Sequence, residues 1–237
     1  MSLLTCIQNA CDRLGIVRPS SVIGSSDQQI RQLLGLAQQE GKELARRHHW
    51  QKLLKEKSIT ATATEEQTGS IPDDFDRMLN GTFYNRTAHR DVRGPYDPVE
   101  WQSYKASVTS AIHDAFRIRG NVILLAPTPN AGDVYVYEYV STYWVATAAA
   151  STTPAQAEWL VDTDVGILSE ELMTDGIVWR FLQAKGLSYD EQFRTYEAQL
   201  VLAISRDGGR RRINMGKSND WRKPRYPNAP EGSWSLS

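Results

Sequence analysis

The sequence predicts an α+β fold. It comprises a four-helix bundle of two N-terminal and two C-terminal helices, a small antiparallel β region inserted between the two pairs, and an extended C-terminal arm. Three observations predict it. Apolar residues recur at helical spacing near both ends, side chains from Phe116 to Trp144 repeat with period two, and no apolar period survives after Gly208. These changes divide the chain into 1–56 (first helical pair), 57–163 (β-rich insertion with a meander), 164–207 (second helical pair) and 208–237 (partner-binding arm).

Leu3, Leu4, Ile7, Ala10, Cys11 and Leu14 form one helical stripe, which Gly15 is placed to end. Ser26 with Gln29 reads as a capping box for a second helix, whose seam is Ile30, Leu34, Ala37, Gly41, Leu44 and His48. From Lys57 to Thr64 the alternation of Ile59, Ala61 and Ala63 with threonines changes to strand grammar. Pro72 fixes a turn before Asp73, Asp74 and Phe75, so the two acids read as caps of a short helical turn. Asp97-Pro98-Val99-Glu100 starts another helix by the same logic and puts Trp101 and Tyr104 on one side.

The central block reads as a three-stranded meander. Gly120-Asn121 turns the chain between 116–119 and 122–125, and the segment from Pro127 to Asp133 leads to a third strand bearing Tyr135, Tyr137 and Tyr139 on one face. Such a stripe could stack nucleotide bases, but without interleaved Arg or Lys it reads as packing. Ser169 is placed to cap a helix through Leu172, Met173, Ile177 and Leu182 that ends near Gly186. Ser188 to Glu191 reads as a capping box for a last helix with the stripe Phe193, Tyr196, Leu200, Val201 and Ile204.

A formal net charge of -1 argues against binding nucleic acid through overall charge. Cys6 and Cys11 share one helix and cannot readily form a disulfide. The N-terminal stretch lacks a basic leader, and no run of eighteen apolar residues exists, so no membrane partner is expected. Adjacent His48 and His49 point to different helix faces, so no metal is expected there. Glu158, Asp162, Asp164, Glu170, Glu171 and Asp175 stand together with no Lys or Arg between them. Asp162 and Asp164 could hold calcium, but the glycine and terminal glutamate of an EF-hand loop are missing, so the stretch reads as helix caps plus a solvated acidic surface. No motif calls for a cofactor, and no catalytic residues are assigned.

The arm mixes glycines and prolines with bases and spaced aromatics and cannot build a core of its own. From Arg206 to Arg225 there are eight basic residues against two acids. Arg210, Arg211, Arg212, Arg222, Lys223 and Arg225 suit phosphate, whereas Trp221, Tyr226 and Trp234 beside arginines are the residue types that anchor protein interfaces. Both readings require a partner.

Pro72-Asp73-Asp74-Phe75, the Trp101 helix, the Gly120 to Trp144 block with Pro127 and Pro129, Asp162-Thr163-Asp164, and Gly176 to Arg180 leading to Gly186 follow one another in an order that resembles the head-to-tail adaptor (connector) proteins of tailed bacteriophages. The resemblance covers about residues 1–207. It implies a virion protein of the neck, made in the host cytoplasm, that forms a homo-oligomeric, twelve-fold ring beneath the portal protein. Such a ring continues the DNA channel to a downstream tail or nozzle protein. It implies no cofactor, and no enzyme activity is expected. On that plan the six acids between 158 and 175 would face the channel, and the arm would reach portal or a neighbouring subunit. Two rival readings come from the residues: a tail-associated cell-wall glycosidase using paired carboxylates, and a DNA-binding protein acting through the basic arm.

Overall fold

The computed structural model describes residues 2–106, 113–147 and 153–208. In chain order they form α1 (Leu3–Leu14), α2 (Gln28–Arg47), a single 3-10 turn (Gln51–Leu53), β1 (Leu54–Thr60), β2 (Glu66–Gln67), β3 (Phe75–Met78), β4 (Tyr84–Asn85), β5 (Arg90–Arg93), α3 (Pro98–Ala106), β6 (Asp114–Arg119), β7 (Val122–Ala126), β8 (Val134–Ser141), β9 (Val145–Ala146), β10 (Val165–Gly166), α4 (Glu170–Ala184) and α5 (Asp190–Arg206).

This order corrects the expected architecture. Five helices accompany a large, curled, mixed sheet of eight strands, so a four-helix bundle with a small β insertion does not describe the molecule. The sheet runs β1-β8-β4-β5-β6-β7-β2, with β3 also paired to β8; β5 and β6 are parallel and the other pairs antiparallel. Strands β2 to β5 span only two to four residues each, too few for a period to register. Nor do β6, β7 and β8 form the expected meander. β6 and β7 form the expected hairpin, but β8 lies elsewhere in the sheet, zipped along its length to β1 from Leu54↔Val140 to Thr60↔Val134. The strand expected from Lys57 to Thr64 thus begins earlier and ends at Thr60.

The helices are organised around α4. Every residue from Leu172 to Phe181 is buried, the mark of a helix enclosed on all sides rather than on one stripe. α1, α2 and α5 each pack against it. Gly176 lets α2 approach, since a Cβ there would lie 2.2 Å from Glu40 Cδ. The N-terminus joins the same core: Leu3 N–H donates to Asp164 O, Leu4 N–H to Asp162 O, and Ser2 bridges to Val165.

The sheet has its own interior. Tyr135, Tyr137 and Tyr139 fall on one face, as expected, and pack with Phe83, Phe116, Ile59 and Ile123. Phe83 meets Phe116 edge-on at 4.8 Å and Tyr137 at 5.6 Å, geometries favoured by the ring quadrupoles. On the opposite face Trp101 of α3 covers Ala115, Leu124 and Ala126. Asp97 caps α3 as a full capping box, accepting from Val99 and Glu100 N–H while Glu100 accepts from Asp97 N–H. Val140, Trp144 and Val145 join the sheet to the helical core. Gly41 makes that contact possible, because a Cβ would lie 2.1 Å from the Trp144 ring.

Several helix ends differ from expectation. Gly15 does close α1, at φ 68°. The cap of α2 is Asp27, not Ser26, accepting from Gln29 N–H. Ser169 stands at the N-cap of α4, but neither it nor Tyr189, the residue at the start of α5, makes a side-chain cap bond. Phe75 opens a strand rather than a helical turn.

Candidate partner-binding surfaces

The arm residues Arg210, Arg211, Arg212, Trp221, Arg222, Lys223, Arg225, Tyr226 and Trp234 lie outside the described residues. The point where the arm leaves the body is described. Asp207 ends α5, its N–H donating to Ala203 O and its carboxylate accepting from Gln51 N–H at 2.9 Å, with His48 Nε2 3.4 Å away. Gly208 follows at φ 75°, beside the Gln51 side chain. Along α5, Ala198, Val201, Leu202 and Ser205 form an exposed face; Val201, expected in the buried stripe, is 63% exposed, while Tyr196 and Leu200 are buried.

The six acids between 158 and 175 gather partners from distant parts of the chain. Asp162 holds the loop before α2, accepting from Val22 N–H, Ile23 N–H at 2.7 Å and the Ser21 hydroxyl at 2.8 Å. Its partial burial pushes its pKa up, but those three donors outweigh burial and leave it below the usual carboxylate range. Asp164 is buried and accepts from Leu160 and Val161 N–H, both at 2.8 Å. Asp175 pairs with Arg13, Glu158 pairs with Lys42, and Glu170 accepts from Asn9 at 3.3 Å. Glu158, Glu170 and Glu171 remain exposed, and the last two stand in the first turn of α4, near the positive end of its dipole. The stretch has no Lys or Arg of its own, and the counter-charges of Asp175 and Glu158 come from α1 and α2, which sequence separation hid.

Two buried polar clusters escaped the sequence reading. Glu40 of α2 is fully buried and accepts from Arg180 Nε at 2.7 Å and Tyr196 Oη at 2.6 Å, tying α2, α4 and α5 together. Arg180 also donates to Glu43 at 2.6 Å and lies over the Trp179 ring, 4.4 Å from its centroid. Burial raises the Glu40 carboxyl above its ordinary value although Tyr196 and Arg180 oppose it. One signal was available: Glu40 lies three residues after Ala37 and four before Leu44, on the buried stripe itself. In the second cluster Asp74 accepts from Lys55 Nζ at 2.7 Å, Ser141 Oγ at 2.7 Å and Tyr139 Oη at 2.9 Å. Instead of capping a helix, it fastens the turn before β3 onto β8. Burial raises its pKa, but the three donors hold it below the usual range.

The charged groups so described hold elements of one body together. The sequence profile of the SU10 adaptor protein family matches residues 1–224, and the chain belongs to that family. This agrees with the resemblance to phage head-to-tail adaptors and makes the chain a phage adaptor protein, with a structural role in the virion and association with other head and tail proteins. No curated protein matches the chain. None of the described helices is long and apolar enough to cross a membrane.

Proposed function

We propose that copies of this chain close into a ring that joins the portal of a phage capsid to the tail and continues the DNA channel. The observation that carries the reading is the family match, which spans the body and extends to residue 224. The basic and aromatic arm supplies the contact to portal or to a neighbouring subunit, by the charge-assisted and aromatic anchoring that such residue types provide. The exposed Glu158, Glu170 and Glu171 are the acids we assign to the channel wall, where carboxylates keep DNA moving because they displace none of its condensed counterions and so gain no binding from their release.

Native mass spectrometry of the purified chain, alone and mixed with portal protein, tests the reading. A closed oligomer that adds to portal supports it, and a chain that stays monomeric with portal present overturns it. Truncation after Gly208 separates the two halves of the claim. The shortened chain should still fold, unfolding in one cooperative thermal transition, and lose portal assembly, and normal assembly would remove the role given to the arm.

A further inference from the structure

The strand β1 is an edge of the sheet, and its outward-facing main-chain groups can be identified. Glu138 turns its N–H and C=O away from β1, to Thr82 Oγ1 and Leu79 N–H; Val134 likewise bonds Thr87 Oγ1 and Arg86 N–H. Their partners across the ladder, Glu56 and Thr60, occupy its unbonded positions, so their own N–H and C=O groups point outward. Ser58 shares their parity, and Ala61, one residue beyond Thr60, points inward to Asp133 and Gly132. Among the described residues no group bonds the main chain of Glu56, Ser58 or Thr60, and all three residues are exposed. An edge of this length that no described residue covers is a template for another strand.

The arm begins beside that edge. The bond from Gln51 N–H to the Asp207 carboxylate and the approach of Gly208 to the Gln51 side chain put Gly208 next to the 3-10 turn that feeds Leu54. From Gly209 to Lys223 the sequence contains no proline, so every residue keeps a main-chain donor; Pro224, Pro227 and Pro230 come later. We propose that the segment directly after Gly208 pairs with the outer edge of β1 of its own chain, running parallel to it from the Leu54 end towards Thr60. Seven residues of pairing span about 23 Å. The remainder, with Trp221, Tyr226 and Trp234, then departs at the Thr60 end, which fixes the direction in which the arm reaches a partner. The inference rests on the reading of the arm as partner-binding and adds where it is rooted.

Hydrogen exchange followed by NMR on the full-length chain tests this without any partner. A full-length variant carrying Ile213→Pro and Asn214→Pro removes two neighbouring donors, one of each parity, from the arm. The amides of Glu56, Ser58 and Thr60 should exchange roughly tenfold more slowly in the parent chain than in this variant, as expected for gaining one bond each. Those of Lys55, Lys57 and Ile59, which face β8, should be equal in both. Ser58→Pro removes an outward donor at a position where an edge strand tolerates proline, and should free the arm while the sheet persists. Exchange at Glu56, Ser58 and Thr60 within twofold in parent and variant overturns the proposal. So does protection that rises with protein concentration, which would assign the edge to a second copy. A chain with an unprotected edge that still assembles on portal loses this inference and keeps the adaptor reading.

Discussion

Replacing Arg180 by methionine should expose how strongly the centre of the helical layer depends on one charge pair. The Glu40 side chain is 0% exposed and that of Arg180 8%, with Nε to Oε2 at 2.7 Å, so the pair is desolvated on both sides. The contact to Glu43 counts for little, because that side chain is 40% exposed and screened. Without Arg180, Glu40 keeps only the Tyr196 hydroxyl, and breaking a buried pair in this way costs about 3–5 kcal/mol. In a body of this size each kcal/mol moves the melting temperature by roughly 2–4 °C, so a fall on the order of 10 °C at neutral pH is expected. The sign of the pH dependence follows from Glu40. Its folded pKa is already raised by burial, so the stability it contributes is full below the unfolded value and is lost as pH rises through the folded one. Removing Arg180 raises that folded pKa further, and the deficit must therefore narrow on acidification. Calorimetry at neutral and mildly acidic pH on the parent, Arg180→Met, Glu40→Gln and the double variant reads this directly. A deficit under about 1 kcal/mol, one that stays constant with pH, or additive single effects would refute the reasoning.

Gly176→Ala and Gly41→Ala place a methyl 2.2 Å from Glu40 Cδ and 2.1 Å from the Trp144 ring, and each should lower stability by about 1–3 kcal/mol in urea titration. Asp74→Asn should destabilise at neutral pH by roughly 1–3 kcal/mol. Because the folded pKa of Asp74 is depressed, its contribution is present above the unfolded value and disappears as pH falls through the folded one, so parent and variant should converge in acid melts. Val201→Asp, at an exposed position of α5, should leave the melting temperature within the shift of about 0.5 kcal/mol while reducing oligomer formation by sedimentation.

Where one face of an element is buried by its own periodicity, the sequence disclosed it: α1 with its Gly15 stop, the capping box of α3, the β6-β7 hairpin and the tyrosine face of β8 were all legible. What it concealed were relations between distant segments. Nothing local says that β8 prefers β1 to β7, since both neighbours offer a compatible pleat and the choice depends on the curl of the whole sheet. The full enclosure of α4 was equally hidden, because Asp175 and Arg180 look solvated until Arg13 and Glu40 are placed beside them. The same blindness applied to the acids: Asp162 and Asp164 were noticed for their charge, yet their use is to hold the Ser21 to Ile23 loop and the 160–164 turn, through bonds to main-chain groups that have no signature in sequence.

The enclosure of α4 also bears on how the chain is made. α1 and α2 leave the ribosome first, but the helix that covers their apolar stripes starts about 120 residues after α2 ends. At roughly 5–20 residues per second, translation leaves that surface waiting on the order of 6–25 s. A nascent chain stalled before Phe181 would thus be a target for chaperones that hold exposed apolar surface, and release from them would coincide with completion of a helix in the last third of the message.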